Sequence, residues 1–480
     1  MNVSIICYIL GWVITIESAF LTLPGFVNLF YREGTGVAYF VTAAIGIAIG
    51  LITVRKKPKN MQFYAKEGFA SVGLAWIVMS IVGAIPICLS GDIPNYVDAL
   101  FEIASGFTTT GATILSDVEA LSHAGLFWRC FTHWIGGMGI FVFLLAVMPL
   151  VGGVNMHLLR AESPGPVVGK LVPKMRDSSQ ILYFIYFALT VIQFVSLWIM
   201  GMTPFEAICT AFSTAGTGGF GIYNSSIADF SILIKWNVTV FMILFGVNFN
   251  AYFLIVAGKI KGILKIEEIR WYFLIIFGAV ALITVNILKL SGGSFLTALT
   301  DAAFQVASVI TTTGFATTDF NLWPALSQTV IILVMLIGAC AGSTGGGLKV
   351  SRILIMFKAI KQEINQFIHP RSVKSVEMDG KSLDKNVVKS VCVYFLLFGI
   401  IFMASAFLVS FDKYDVLTNF TAVLATINNV GPGLNVVGPT GNFGGFSYFS
   451  KFVFIFDMLA GRLELYPILL LIIPPMWKKH

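Results

Sequence analysis

The chain has 480 residues, of which 57% are hydrophobic and 11% are charged. Soluble domains carry about 25% charged residues, so this composition excludes a soluble globular protein, whose surface so few charges could not cover. The formal net charge is +7, but the basic residues lie in a few separate loops, which argues against a nucleic-acid-binding surface.

Two apolar segments, at about residues 5–30 and 36–54, come first and are interpreted as membrane-spanning helices. About 20 apolar residues in a helix cross a hydrocarbon core of about 30 Å. The first segment is too long for the core of a signal peptide and contains Glu17. We therefore predict a retained helix, in which Glu17 satisfies a helix–helix contact. Residues 1–60 form this two-helix extension.

Four units with one common order follow. In each unit, an apolar helix runs outward, a short segment ends in a Gly- and Thr-rich stretch, and a second long apolar helix returns. The units are predicted at residues 61–160, 161–265, 266–370 and 371–480. The outward helices are predicted at about 68–90, 178–202, 271–290 and 389–410, and the returning helices at about 124–151, 231–258, 325–355 and 446–475.

This internal repetition decides the predicted fold class. Because all four units run in the same direction, unlike inverted repeats, they can surround a single axis. The sequence thus predicts an all-α polytopic membrane protein with four parallel helix–loop–helix repeats. Basic residues cluster at 55–59, 160–176, 259–265 and 358–374. By the positive-inside rule, these loops and the N-terminus are cytoplasmic.

The short segments carry the expected chemistry, because a helix that stops halfway across a membrane aims the negative end of its dipole at the centre. Beyond it, extended backbone carbonyls can replace the hydration shell of a cation. The candidate cation ligands are Thr109, Thr110 and Gly111; Thr217, Gly218 and Gly219; Thr312, Thr313 and Gly314; and Asn428, Asn429, Val430 and Gly431. None is acidic, which favours a monovalent over a divalent cation.

The alignment of these segments with one another is secure only for the first and third units. The same number of residues separates Phe101 from Gly111 as separates Phe304 from Gly314. The second and fourth segments are offset from this spacing, so their alignment stays open. An ordinary polar loop is the alternative for any single segment, but four in matched positions favour a ring of loops.

Six motifs resemble those of the Trk/Ktr/HKT superfamily of potassium transporters, and the resemblance covers nearly the whole chain. The motifs lie at residues 107–113, 133–139, 311–315, 338–349, 428–433 and 458–464. The two additional N-terminal helices are similar to those of its TrkH-type branch. All four segments keep glycine, whereas sodium-preferring plant members carry serine in the first, and this difference favours potassium.

The resemblance also implies a pore with fourfold pseudo-symmetry, a homodimer in the cell (inner) membrane, and gating by a cytosolic TrkA-type nucleotide-binding subunit. Potassium is then the substrate, no covalent cofactor is expected, and nucleotide acts only through the partner protein. The alternatives are a cation-coupled secondary transporter of another fold, with Glu17, His133 or Asp457 carrying protons, and a membrane enzyme. The scattered histidines provide no catalytic cluster for an enzyme.

A gate is predicted in the third returning helix, where a continuous helix would lose roughly 5 kcal/mol to its glycines. The predicted break comprises Gly342, Ser343, Thr344, Gly345, Gly346 and Gly347, with Ser343 and Thr344 exposed to the pore. Small-residue packing between helices is the alternative. The segment lacks the Gly-Lys-Ser/Thr order and the preceding strand of a phosphate-binding loop.

Arg462 interrupts the fourth returning helix, where a charge costs about 2.5–3.5 kcal/mol. We expect its side chain to face the pore, repel cations and bind carbonyls of the glycine-rich break. An ion pair with Glu464 or Asp457 is the alternative. Three further basic residues lie near the outer ends of returning helices, beside aromatic residues, and are interpreted as interfacial anchors. They are Arg129, Lys235 and Lys451.

Overall fold

The computed structural model describes residues 1–58, 64–139, 175–263, 265–370 and 375–477. Most of these residues are helical, and they include one hairpin of two-residue strands, Glu377–Met378 and Lys381–Ser382. The predicted fold class, an all-α polytopic membrane protein, is confirmed.

The N-terminal extension consists of α1 (Val3–Phe20), α2 (Thr22–Tyr31) and α3 (Gly36–Val54), as the two apolar segments predict. Small residues bring α1 and α3 close together: a β-carbon on Gly46 would lie 2.0 Å from the Ser18 hydroxyl oxygen. Glu17 is buried, but in the described part of the chain neither of its carboxyl oxygens has a hydrogen-bond partner. The expected helix–helix contact of Glu17 is present as packing, since a β-carbon on Gly83 would lie 3.0 Å from one of its carboxyl oxygens.

Each of the four units contains an outward helix, a short helix and a returning helix. The outward helices are α4 (Ala65–Leu89), α7 (Met175–Ile199), α12 (Glu267–Ile287) and α16 (Lys385–Val409). The short helices are α5 (Tyr96–Phe107), α8 (Pro204–Ala215), α13 (Phe295–Ile310) and α17 (Val416–Ile427). The returning segments are α6 (His123–Met138), α9 and α10 (Ile232–Gly246, Phe249–Val256) with the short α11 (Ile260–Ile263), α14 and α15 (Ala325–Ile337, Val350–Ile368), and α18 and α19 (Tyr448–Arg462, Tyr466–Ile472).

The returning helices of the second, third and fourth units are broken halfway, and this corrects the prediction of long continuous helices in the second and fourth units. The axis bends by 91° between α9 and α10. In the fourth unit, residues 463–465 separate α18 from α19, and the φ values of Glu464 and Leu465 are 60° and 66°. For the first unit, the predicted continuation over 140–151 lies outside the described residues. Within the described ranges, six helices, or seven with the bent pair, are long and apolar enough to span a membrane.

Two of the three predicted interfacial anchors are buried in ion pairs, which corrects that interpretation. Arg129 on α6 is 1% exposed and its Nη2 lies 2.7 Å from Oε1 of Glu102 on α5. The Lys451 Nζ on α18 lies 2.6 Å from Oδ1 of Asp98, also on α5. Lys235 is half-buried. The first pair joins the short and returning helices of one unit, and the second joins the fourth unit to the first.

Loss of the Arg129 charge should destabilise the fold, since removing one partner leaves the Glu102 carboxylate buried and uncompensated. We expect Arg129→Met to lower the free energy of unfolding by about 3–5 kcal/mol. The double variant Glu102→Met/Arg129→Met should regain part of that loss. Thermal unfolding of detergent-solubilised protein measures both effects. Lys289→Met, which removes an exposed charge, is the control, and an Arg129→Met variant as stable as this control would contradict the argument.

Candidate functional site

The four short helices end in the same way, and their ends fix the register that the sequence left open. In every unit the glycine follows the last helical residue by the same interval. The pairs are Phe107 and Gly111, Ala215 and Gly219, Ile310 and Gly314, and Ile427 and Gly431. Counted back from the glycine, Cys209 and Thr421 occupy the position of Phe101. The second and fourth segments, whose alignment the sequence left open, are therefore in register with the other two on the glycine and have no phenylalanine at the position of Phe101.

The four loops share one backbone conformation although their sequences differ. Two residues before each glycine, a non-glycine residue has a left-handed φ. The values are 54° at Thr109, 53° at Thr217, 58° at Thr312 and 54° at Asn429. Such a φ is unusual, particularly for β-branched threonine, and costs about 1–3 kcal/mol. Its recurrence at four equivalent positions indicates a conformation that the surrounding structure imposes.

The loops close into a ring in which each glycine packs against a carbonyl of the next loop. A β-carbon on Gly111 would lie 1.9 Å from the Gly218 oxygen, and one on Gly219 would lie 1.9 Å from the Thr313 oxygen. For Gly314 the distance is 2.3 Å to the Val430 oxygen, and for Gly431 it is 2.6 Å to the Thr110 oxygen. The candidate cation ligands are thus brought together from all four units around one axis.

An open cavity of about 170 Å³ lies on the outer side of the ring and includes all four ring glycines in its wall. Arg129 is the one charged side chain among the described residues that line it. Tyr223, also in the wall, donates a hydrogen bond to Glu206, and this bond raises the pKa of Tyr223 to about 12.

A non-helical segment, residues 338–349, lies on the inner side of the ring and is called the inner loop below. The Gly346 N–H donates to the Thr312 hydroxyl at 2.7 Å. A β-carbon on Gly346 would lie 2.6 Å from the Asn428 carbonyl oxygen, and one on Gly345 would lie 2.9 Å from that of Thr311. The predicted break in the third returning helix is present and contacts the ring directly.

Hydrogen bonds attach the inner loop to the break in the second returning helix. The Cys340 N–H donates to the Gly246 carbonyl at 3.1 Å, and the Phe249 N–H donates to the Gly342 carbonyl at 2.9 Å. The expected exposure of Ser343 and Thr344 is wrong, because both side chains are buried. Their hydroxyls donate to the Cys340 carbonyl at 2.6 Å and the Phe245 carbonyl at 3.2 Å.

Arg462 bridges the inner loop and the first unit. Its guanidinium donates to the Thr344 carbonyl at 2.7 Å, to the Gly137 carbonyl at 2.8 Å, and to the Gly136 carbonyl. The alternative partners are engaged elsewhere: Glu464 forms an ion pair with Arg352, and Asp457 accepts a hydrogen bond from Ser405 at 2.6 Å. One cationic side chain of the fourth unit therefore links the third unit to the first, on the inner side of the ring.

Two buried charges that the sequence did not single out hold the inner loop in place. The Glu268 carboxylate accepts from the Ala341 N–H at 2.7 Å and from the Ser351 N–H at 3.1 Å, so it ties the loop to the first turn of α15. Lys349 is 1% exposed and donates to the Gly345 carbonyl. The only sequence signals were an acid at the start of an apolar helix and a lysine that follows the glycines.

Comparisons with known proteins agree with this architecture. The TrkH family profile, described as a cation transport protein, matches residues 37–479. The Trk system potassium uptake protein TrkH of Salmonella typhimurium is 36% identical over 490 residues, covering 100% of both chains. TrkG of Escherichia coli is 33% identical and covers 99% of both. The crystal structure of the potassium transporter TrkH from Vibrio parahaemolyticus superimposes with a TM-score of 0.89 at 33% identity, over 100% of both chains.

The ring geometry predicts that a single methyl group at Gly219 is destabilising. Gly219→Ala combines a left-handed φ of 77° with a contact of 1.9 Å to a carbonyl oxygen. We expect a loss of about 3 kcal/mol in the free energy of unfolding, from backbone strain and overpacking. The control is Gly399→Ala, since a β-carbon there meets no atom within 4 Å. Equal thermal stability of the two variants would contradict the close ring contact.

Proposed function

The chain belongs to the TrkH family of cation transport proteins, and from this we propose that it takes up potassium ions across the cell membrane through a gated, channel-like pore. The observation that carries the proposal is the closed ring of four loops, because its backbone carbonyls come from four units around one axis. Relatives that match over the full length are called potassium uptake proteins, which supports potassium as the substrate.

In this proposal the ring is the selectivity filter, formed by residues 109–111, 217–219, 312–314 and 428–431. Backbone carbonyls replace the hydration shell of a cation as it enters. The ring contains no carboxylate, which is consistent with a monovalent ion. The four short helices support the same function, since each directs the negative end of its dipole toward the ring.

The inner loop and Arg462 form the gate in this proposal. The loop lies against the inner side of the ring, and the Arg462 guanidinium lies beside it, where a positive charge opposes the passage of a cation. The hydrogen bonds of Arg462 to Thr344 and Gly137 hold the loop across the path. Opening requires that these bonds break or that the loop move with them.

The remaining expectations complete the proposed assembly. The protein lies in the cell (inner) membrane with its N-terminus and basic loops in the cytoplasm, and forms a homodimer in lipid. A cytosolic TrkA-type subunit that binds nucleotide controls the gate. The units at residues 61–160, 161–265, 266–370 and 371–480 are the four quarters of the pore, and residues 1–60 are an accessory pair of helices. The protein itself performs no catalysis.

The proposal predicts a change in ion selectivity when Gly111 is replaced by serine. The side chain would lie against the Gly218 carbonyl and displace one quarter of the carbonyl ring. Gly111→Ser should therefore raise the permeability to sodium relative to potassium. Rubidium uptake into proteoliposomes, with sodium and potassium as competitors, measures this ratio. An unchanged ratio in folded Gly111→Ser protein would argue against a filter role. Uptake that requires a fixed proton stoichiometry would favour the coupled transporter instead.

The proposed gate predicts that two changes in it raise ion flux by amounts that do not add. Arg462→Ala removes a positive charge and a tether, and deletion of Gly345–Gly347 removes part of the inner loop. Each change should raise rubidium flux in the absence of a partner protein. Since both act on one constriction, the double variant should leak little more than the stronger single one. Low flux from stably folded Arg462→Ala protein would exclude the gate assignment.

A further inference from the structure

The ring loop of the second unit lacks the side chains that support two of the others. In the first unit, the hydroxyls of Thr108 and Thr110 lie 2.8 Å apart, and in the third unit those of Thr311 and Thr313 lie 2.7 Å apart. Each pair joins the end of the short helix to the loop and braces the loop from behind. The corresponding residues of the second unit are Gly216 and Gly218, so this brace is missing there.

His133, from α6 of the first unit, occupies the space where these side chains would lie. A β-carbon on Gly216 would be 2.1 Å from the His133 carbonyl oxygen, and one on Gly218 would be 2.3 Å from imidazole atoms. Neither glycine is required by its backbone, because Gly216 has a φ of −70° and Gly218 is not among the residues with positive φ. The two glycines are therefore required by the space that His133 fills.

The imidazole is held in a fixed position behind the loop. It is buried and stacks on Phe220 with centroids 4.3 Å apart and an angle of 23° between the rings. The Phe220 N–H donates a long hydrogen bond of 3.5 Å to its Nδ1, which requires that Nδ1 carry no proton. Arg129, one helical turn earlier, contacts the same Phe220 ring at 4.1 Å. Two side chains of α6 thus support the residue that follows Gly219.

We propose that His133 is the brace of the second ring loop, supplied by the neighbouring unit in place of the threonine pair, and that it determines ion selectivity by positioning the Gly218 carbonyl. This carbonyl is the one against which Gly111 packs, so its displacement changes the contact between the first and second loops. The inference rests on the proposed function of the ring as a filter. His133 is a positioning residue and does not itself contact the ion.

The test is an exchange of side chains between the two positions. His133→Ala opens a void behind Gly218, and Gly218→Val alone meets the imidazole. The double variant His133→Ala/Gly218→Val fills the void from within the second loop, with the residue type that the fourth loop has at this position, the buried Val430. His123→Ala is the matched control, because His123 is a histidine on the same helix, at its outer end, with a side chain 40% exposed.

The readout is the permeability ratio of sodium to potassium in proteoliposomes, normalised to folded protein. We expect His133→Ala to raise this ratio about fivefold to tenfold, as for coupled contacting residues, and His123→Ala to leave it unchanged. Gly218→Val should lose flux or folded yield, and the double variant should recover toward wild type. A change in the ratio distinguishes positioning from a general loss of stability, which would lower flux without altering discrimination.

Two results would overturn the inference: a wild-type ratio in folded His133→Ala protein, or a double variant no better than the worse single one. If His133→Ala yields no folded protein, His133→Leu replaces it, and an unchanged ratio there is equally decisive. Failure of the proposed function is distinguishable, because wild-type protein would then show no selective rubidium flux. If the wild type is selective and the His133→Ala variant has the same permeability ratio, only the role of His133 as a brace is rejected, and the proposed filter is not.

Discussion

The packing of each ring glycine against a carbonyl of the next loop is the contact on which the rest of the structure depends. In this closed circuit all four loops adopt the same left-handed backbone, and all four short helices end at the same interval before the glycine. Just inside the ring, the returning helices of the second, third and fourth units break and α6 of the first unit ends at Met138. There, Gly136 and Gly461 pack against carbonyls at the ends of the first and fourth short helices, those of Phe107 and Ile427.

The four ring loops share one backbone conformation, but different side chains support it in each unit. Threonine pairs stand behind the first and third loops, a histidine of a neighbouring unit stands behind the second, and Asn429 of the fourth donates to the Thr110 hydroxyl at 2.9 Å. The inner side is less symmetric still, since the inner loop comes from the third unit and its arginine tether from the fourth. The backbone of the ring is thus fourfold, whereas the side chains that support it differ from unit to unit. Substitutions at equivalent positions therefore have different consequences.

Sequence patterns predicted the bounds of the outward helices to within a few residues and identified the ring residues. Both predictions rest on local signals, namely apolar length and Gly-Thr composition. The breaks after Gly246 and Arg462 escaped prediction: one glycine, or the pair Glu464-Leu465, is a weak signal next to the cluster at 342–347. The ion pairs of Arg129 and Lys451 also escaped it. A cation beside aromatic residues is typical of an interfacial anchor, and its partner is set by tertiary packing.

The contact of Lys451 with Asp98 joins residues 353 positions apart in the sequence, and Asn95 meets Tyr448 across the same interval. The last quarter of the chain therefore completes the circle that the first quarter begins. During synthesis, domains fold in order from the N-terminus, but here the first unit must wait, with Asp98 unpaired, until nearly the whole chain has entered the bilayer. Closure of the ring is consequently a late step of biogenesis, and a chain whose synthesis stops early has three quarters of the ring and an open side.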